Sequence, residues 1–407
     1  MPATIARDEE WRNDPWLGAN PLDPAFRTDP YPLLKRLREN DPVNETPIGL
    51  YRLTRYDDVI RMLKEVPSGV RMADGSVFGG IAITGGPGEF LLRQDPPDHT
   101  RLRKLMSQAF RPRAIERLRS RIEVLVEQLL DQAQERGEMD IIADLALPVP
   151  STMICEMMGV PLADRDQFTE WTAAATHLLA ASLLPQEVLE RGLNAVGSLA
   201  NYFNELIADR RRHLGEDILS DLIRAEEAGD RLTPTELLAQ SIGLLIAGFE
   251  TTIGLIGNGV LALLDHPDQL RRLQQSPDLI ASAVEECLRY DGPIVLTIRI
   301  TREDTHFGDR VIPADRPVMC MLAAANRDPG HFVDPDRFDI TRADADNLAF
   351  GGGVHFCLGA HLARLEAQAA IGALIRRFRN IERVGGQLEW GKSLFRVLAR
   401  LPIRVAP

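Results

Sequence analysis

Cysteine is scarce in this sequence, with four among 407 residues, namely Cys155, Cys287, Cys320 and Cys357. They lie far apart and form no CxxC pair, so neither a disulfide framework nor a zinc ribbon is indicated. Positive charge is also in deficit, because 47 lysines and arginines face 59 acidic residues and leave a formal net charge of -12. General nucleic-acid binding is therefore not expected of this chain.

Long apolar runs are missing as well, and no stretch approaches the roughly 20 residues that cross a bilayer. The N-terminal arm is polar, acidic and proline-rich and lacks the apolar segment of a signal peptide. We therefore expect a cytoplasmic protein. No internal repeat and no linker rich in Pro, Ser or Gly divides the sequence, which predicts one mainly α domain with small β-sheets over residues 1–407.

The apolar periodicity is helical over most of the chain, from residue 98 to residue 378. A glycine-rich loop is predicted at residues 67–97, and a loop of this length in a compact protein is usually a lid or binding loop. The other predicted elements are helices at 32–40 and 56–64, a strand at 50–54, a strand-and-turn region at 294–318 and an irregular segment at 326–353.

A glycine-rich loop that contains a cysteine, FGGGVHFCLG at residues 350–359, is the most specific local pattern. An apolar stripe of helical period runs from Leu358 to Phe378, which places Cys357 at a helix N-terminus. Unpaired backbone N–H groups there would lower the pKa of the thiol and favour the thiolate. A buried structural cysteine, or a zinc site with His355 and His361, is also compatible with the residues alone.

A long helix is predicted to begin at residues 233–236, Thr-Pro-Thr-Glu, a capping box with proline at the first helical position. The helical period continues to Leu264, and we predict one uninterrupted helix over this span. Each glycine inside a helix costs up to about 1 kcal/mol relative to alanine. Repeated glycines therefore predict close packing against a neighbour or a ligand. They are Gly243, Gly248, Gly254, Gly257 and Gly259.

An acid and a hydroxyl stand side by side in the middle of this helix, at Glu250 and Thr251. A carboxylate in an apolar helix is costly to bury unless it is satisfied, so its presence suggests a chemical role. Alternatively, Glu250 lies on an exposed face and Thr251 bonds to the preceding turn. The residues alone leave both interpretations open.

The cysteine loop resembles the haem-binding signature of the cytochrome P450 family, F-G-x-G-x-H-x-C-x-G, at every position. The resemblance extends over nearly the whole chain. It implies a cytochrome P450-like fold, mainly α with small β-sheets, in which haem b lies between the long central helix and the cysteine loop. It also implies that Cys357 is the axial thiolate ligand of the iron.

The same resemblance implies roles for further residues. Glu250 and Thr251 would be a catalytic pair that relays protons. Glu286 and Arg289 are similar to the ExxR helix of the family, with Arg337 as third member of a structural triad, although alone they would be read as a surface ion pair. The haem propionates would be bound by His99, Arg103, Arg299 and His355.

The implied activity is insertion of one oxygen atom from O2 into an apolar small molecule of terpenoid, fatty-acid, steroid or polyketide type. Electrons would come from a separate ferredoxin and flavin reductase, since no flavin-binding or ferredoxin-like extension follows Phe378. Rival interpretations are a peroxide-using haem enzyme and a non-catalytic haem sensor, and the Glu250–Thr251 pair argues against both. Substrate contacts, unless they are ordinary core, would be Phe78, Ile83, Leu178, Leu179, Ile246, Phe249, Ile294, Val295 and Leu296.

A local reversal of charge is found at residues 101–121, where basic residues surround a single acid, Glu116. This pattern predicts a docking face for an acidic ferredoxin near the cysteine side of the haem. A solvated helix face is the alternative. The basic residues are Arg101, Arg103, Lys104, Arg111, Arg113, Arg117, Arg119 and Arg121.

Overall fold

The structure is a computed structural model that describes residues 16, 18–78, 90–227, 232–343 and 346–406. Helices dominate it, as the periodicity predicts. They are α1 Pro24–Thr28, α2 Tyr31–Asn40, α3 Tyr56–Lys64, α4 Asp98–Met106, α5 Pro112–Glu116, α6 Arg119–Arg136, α7 Pro148–Met158, α8 Arg165–Thr176, α9 Gln186–Arg212, α10 Ile218–Glu227, α11 Pro234–Gly248, α12 Glu250–Asp265, α13 Pro267–Gln275, α14 Ile280–Asp291, α15 Leu322–Ala325 and α16 Ala360–Arg377.

The strands are short and form four small sheets within the described residues. They are β1 Val43–Glu45, β2 Tyr51–Leu53, β3 Ser68–Gly69, β4 Glu138–Asp140, β5 Thr297–Thr301, β6 Thr305–Phe307, β7 Arg310–Ile312, β8 Pro317–Cys320, β9 Asn380–Arg383, β10 Glu389–Trp390, β11 Leu398–Arg400 and β12 Pro402–Ala406.

The largest sheet has the strand order β1-β2-β8-β5-β3, and the others are β4-β12-β9, β6-β7 and β10-β11. Strands β2 and β8 pair in parallel, with Tyr51 opposite Val318, whereas the other pairs of this sheet are antiparallel. Early and late parts of the chain therefore meet in one sheet. Its strand β5 carries Arg299, so the sheet positions one of the predicted site residues.

The predicted start of the central helix is confirmed. The Thr233 hydroxyl accepts a hydrogen bond from the Glu236 N–H at 3.1 Å, and the Glu236 carboxylate accepts one from the Thr233 N–H at 2.8 Å. The prediction of one uninterrupted helix is wrong, because Phe249 leaves helical geometry at φ -126° and ψ -39°. There the Thr251 hydroxyl donates to the Ala247 carbonyl at 3.3 Å, and such side-chain competition bends helices.

The glycines of the central helix lie where neighbours approach closely, as predicted. A side chain at Gly243 would overlap the ring of Phe90. A Cβ at Gly259 would lie 3.1 Å from the Ile371 side chain and 3.2 Å from the Cys287 sulfur. Helix α12 therefore packs tightly against α14 and α16, and α16 is the helix that follows the cysteine loop.

The central helix is also the core of the molecule. The expectation that no stretch is long and apolar enough to cross a membrane is wrong by length and composition. Among the described residues, the span 234–265 meets both requirements, with a mean hydropathy of 1.5. In its most apolar window, 78% is buried inside the protein. Ile242, Leu245 and Ile256 on it are fully buried against neighbouring helices, which is how the core helix of a compact protein behaves.

Candidate active site

The cysteine loop is a tight turn that only glycine can form at two positions. Gly351 and Gly353 have φ angles of +70° and +67°, which side chains rarely adopt. A Cβ at Gly353 would also overlap the carbonyl oxygen of Leu63. The Cys357 N–H donates to the Phe350 carbonyl at 3.0 Å, and this bond fixes the cysteine three residues before α16.

Burial and the loop have opposite effects on the Cys357 sulfur. Burial raises the pKa of the thiol, whereas the Gly359 N–H, Arg103 and Arg364 lower it by smaller amounts. The low pKa expected from the helix start is therefore outweighed by burial in this structure. No group of three potential metal-ligating side chains occurs within the described residues, so the zinc alternative finds no support.

Four predicted propionate ligands, His99, Arg103, Arg299 and His355, come together at one end of this site. The His99 and His355 rings lie 4.2 Å apart. Both nitrogens of His99 and Nε2 of His355 are buried and have no hydrogen-bond partner in the part of the chain that the structure describes. Burial, followed by the charges of its cationic neighbours, lowers the pKa of His355 to about 3. Asp95, the acid that acts on His99, is itself paired with Arg302 at 2.6 Å. The described residues therefore supply no free anion to the hydrogen-bond donors of His99, Arg103, Arg299 and His355.

A cavity separates the cysteine loop from the junction of α11 and α12. The volume open to the centre of a water molecule is about 330 Å³. Cys357 and the four predicted propionate ligands line it, as do Ala247, Gly248, Thr251 and Thr252 from the central helix. Most of its remaining wall is apolar, so it suits a flat, largely apolar group together with an apolar ligand.

The predicted substrate contacts divide into two groups in the structure. Phe249 and Val295 are buried in the core and Phe78 packs against it, and none of the three belongs to the described cavity lining, so their assignment stays a prediction. Val295 lies between two lining residues of an extended segment, where successive side chains point to opposite sides. Ile83 lies outside the described residues. The residues that do line the cavity are Leu178, Leu179, Ile246, Ile294 and Leu296.

The predicted acid and hydroxyl lie on two sides of the cavity wall. Thr251 and the buried Thr252 line the cavity, whereas Glu250 stands behind them. Oxygen Oε2 of Glu250 is buried without a hydrogen-bond partner in the described part of the chain. Burial raises the pKa of Glu250, and hydrogen bonds to the Ser393 and Thr176 side chains lower it by less. Glu250 can therefore hold a proton close to the cavity.

The Glu286–Arg289 pair is buried, not exposed. Arg289 donates to both Glu286 oxygens, at 2.7 and 2.8 Å, and also to the backbone carbonyl of Arg337 at 3.0 Å. The Arg337 side chain is 61% exposed and pairs with Asp339, so its assignment to the triad is wrong. Arg342, whose side chain is 8% exposed, takes the place with Nε 3.3 Å from Glu286.

These two arginines provide a matched test of the triad. Arg342→Ala should lower the free energy of unfolding by about 3 kcal/mol, because it leaves a buried carboxylate short of one cation. Arg337→Ala should change it by less than about 0.5 kcal/mol, as expected of a surface side chain. Denaturant unfolding of the haem-loaded protein measures both. Equal losses in the two variants would contradict the assignment.

Two cavity residues, Arg93 and Glu366, were not predicted. Glu366 is 1% exposed, neither of its oxygens has a hydrogen-bond partner among the described residues, and burial raises its pKa well above the ordinary value. It stands in the apolar stripe of α16, four residues after Leu362, and that position is a sequence signal. Arg93 lies in the predicted loop and carries no comparable signal.

Comparison with known proteins decides what this constellation is. The family model described as Cytochrome P450 matches residues 52–388. The chain is a cytochrome P450. This P450 is 43% identical over 402 residues to cytochrome P450 107B1 of Saccharopolyspora erythraea, covering 94% of this chain and 96% of that protein.

Two further relatives agree over similar lengths. The vitamin D(3) 25-hydroxylase of Pseudonocardia autotrophica is 40% identical over 401 residues, covering 94% of this P450 and 95% of that protein. The structure of P450BioI in complex with hexadec-9Z-enoic acid ligated acyl carrier protein superimposes with a TM-score of 0.87 at 37% identity, covering 94% and 100% of the two chains. The predicted fold and the monooxygenase class of this enzyme are thereby confirmed.

The family implies a haem whose iron is bound by a thiolate, and the site fits that group. One cysteine faces the cavity from a loop in which two glycines have positive φ angles and a Cβ at Gly353 would overlap the Leu63 carbonyl. The buried nitrogens of His99 and His355, which have no hydrogen-bond partner among the described residues, offer donors to the haem carboxylates. The cavity between them is walled mainly by apolar side chains.

Proposed function

We propose that this P450 inserts one oxygen atom from O2 into an apolar small molecule, using haem b held through Cys357. The observation that carries this proposal is that Cys357, the four predicted propionate ligands and Thr251 all line one cavity. When bound, a thiolate-ligated haem supplies the activation of dioxygen. We also propose that residues 1–407 form one domain located in the cytoplasm.

His99, Arg103, Arg299 and His355 would hold the two propionates. Their buried donors have no anion to bind within the described residues, and charge-assisted hydrogen bonds to carboxylates are among the strongest available. The Arg299 guanidinium is already oriented, since it donates to the Thr297 hydroxyl at 3.2 Å and to the Ile298 carbonyl at 2.8 Å. Arg103 reaches the same cavity from α4, close enough to act on Cys357.

Glu250 and Thr251 would deliver the protons that the reaction consumes. Thr251 presents its hydroxyl at the cavity, and the buried carboxyl of Glu250 stands behind it with a raised pKa. A carboxyl whose pKa is raised by burial and that lies beside an apolar pocket is suited to general acid catalysis. This pair favours a dioxygen-using enzyme over a peroxide-using enzyme or a haem sensor.

Substrates are proposed to be of terpenoid, fatty-acid, steroid or polyketide type. The apolar lining at Leu178, Leu179 and Ile246 supports this class, and the relatives above carry names that refer to vitamin D and to an acylated carrier protein. Incubation with ferredoxin, flavin reductase, NADH and such a compound should yield a hydroxylated product. Product from peroxide with none from dioxygen and electrons would overturn the proposal.

The electron donor is proposed to be an acidic ferredoxin, reduced by a flavin reductase, that docks beside the cysteine loop. Arg101, Arg119 and Arg121 are held in ion pairs. Helix α5 packs on α16, the helix that follows the cysteine loop, and Val354 and Phe356 of that loop are exposed. The residues that remain exposed and without an ion pair in the described chain are Lys104, Arg111, Arg113 and Arg117.

Arg111→Glu should therefore slow electron transfer from an acidic ferredoxin about tenfold at low salt, because it inverts one charge of the docking face. Rising ionic strength should slow the unmodified enzyme in the same way. Stopped-flow reduction of the haem measures both rates. The charge-swapped double variant, Arg119→Glu with Glu116→Arg, is the control, since it keeps this ion pair and the net charge of the face. Rates indifferent to salt and to Arg111→Glu would count against this face.

A further inference from the structure

Arg93 is a buried cation on the wall of the active-site cavity. It closes a short 3-10 helix, Leu91–Arg93, and is 8% exposed. It lines the cavity together with Leu178, Leu179 and Phe90. Arginine is among the residues least often buried unless it is paired, so its partners decide what it does.

The guanidinium of Arg93 has few partners within the described chain. Its Nη2 donates to the Leu178 carbonyl at 3.3 Å, in a buried environment. No carboxylate of residues 16, 18–78, 90–227, 232–343 and 346–406 forms an ion pair with it. Burial lowers the pKa of Arg93, and the nearby charge of Arg71 lowers it further. A guanidinium has five N–H donors, so this one retains unused donors, and the residue lines the cavity.

Arg93 is separate from the cations assigned to the haem. Among charged groups, Arg103, Asp95 and Arg299 act on the pKa of His99, whereas Arg71 acts on the pKa of Arg93. The hydrogen bond to Leu178 ties Arg93 instead to the segment after α8, which supplies apolar cavity wall. Arg93 therefore stands among the residues that would surround a substrate.

We propose that Arg93 is a substrate-binding residue and that the preferred substrates carry a carboxylate at one end of an apolar body. This inference rests on the proposed function, because it takes the cavity to be the substrate site. The fork of a guanidinium binds the two oxygens of a carboxylate in one plane. The bond to the Leu178 carbonyl orients the fork, and the apolar wall accepts the rest of the molecule.

Spectral titration of the haem-loaded enzyme tests this inference. Dodecanoate should bind about ten- to a hundredfold more tightly than its methyl ester at neutral pH, as expected for a hydrogen-bonded charge pair. Arg93→Met should remove this preference while leaving ester binding unchanged within about twofold. Arg93→Lys should retain part of it, because lysine keeps the charge but loses the fork. Octanoate to hexadecanoate, each with its ester, extend the series to other chain lengths.

Two results would overturn the inference. One is that no acid in the series binds more tightly than its ester, or that the preference survives Arg93→Met. The other is a loss of several degrees in melting temperature, measured without ligand, when Arg93 is replaced by methionine, because such a loss would mark a structural arginine. Removal of an unpaired buried charge should cost little. A red-shifted carbon monoxide band and product from other substrates report separately on the proposed monooxygenase function.

Discussion

Replacement of Cys357 by serine is expected to abolish the strongly red-shifted band of the reduced carbon monoxide complex, together with all monooxygenase activity. A serine hydroxyl is a far weaker acid than a thiol and does not supply an anionic ligand, so the electronic character of the haem depends on this sulfur. Gly351 and Gly353 hold this loop in a turn with positive φ, and Cys357 is the one cysteine among the described residues that lines the cavity. Difference absorption spectra after reduction and addition of carbon monoxide provide the measurement.

Two variants separate loss of the ligand from loss of the fold. Cys357→His should still bind haem but show a band without the red shift, because imidazole replaces the thiolate. Cys155→Ala should keep the band, since Cys155 is buried in α7 with its pKa raised to about 11 by burial. A red-shifted band that persists in Cys357→Ser would refute the assignment of the iron ligand.

Thr251→Ala is expected to uncouple electron consumption from product formation. The variant should bind haem and substrate and oxidise NADH, but release most of the electrons as peroxide, with product per NADH reduced about tenfold or more. The physical reason is that Thr251 is the hydroxyl that lines the cavity beside the buried carboxyl of Glu250. Product, peroxide and NADH are measured in the same incubation.

Thr252→Ala is the matched comparison, since Thr252 also lines the cavity and is one residue further from Phe249. Unchanged product per electron in Thr251→Ala, with uncoupling in Thr252→Ala, would transfer the role to Thr252. Glu250→Gln should slow turnover by about a hundredfold, because the amide cannot deliver a proton.

Glu250→Gln has a second readout that does not depend on turnover. The folded-state pKa of Glu250 is raised above its ordinary value by burial. Its contribution to stability is therefore fully present below the unfolded pKa and is lost as pH rises towards the folded pKa. The glutamine variant should be less sensitive to pH across that window. Unfolding curves of equal pH dependence would show that Glu250 is not buried as described.

The features that could be predicted from sequence are those encoded locally. The capping box at residues 233–236 needs only neighbouring residues, and it forms as predicted. The cysteine loop requires glycine where φ is positive, and its glycines can be read directly from the sequence. The helices at 31–40 and 56–64 follow from their period and begin and end within a residue of the expected bounds.

The features that could not be predicted depend on contacts between distant segments. Arg337 and Arg342 are both plausible partners by position, and only packing buries Arg342 against Glu286. Val295 lies between two cavity residues, and its direction depends on the extended geometry of that segment. The break at Phe249 arises from the local use of a carbonyl by Thr251, against a helical period that continues without interruption.

The parallel pairing of β2 with β8 has a consequence for biogenesis. Tyr51 leaves the ribosome long before Val318, its partner across the two strands, and on the order of 10–60 s separates their synthesis. Until β8 is synthesised, the edge of β2 opposite β1 is unpaired, and nascent chains aggregate on such edges. Arg299, on β5 beside β8, joins its sheet only after this wait. Cofactor capture, which needs Arg299 in its place, should therefore be a late event that follows synthesis of β8.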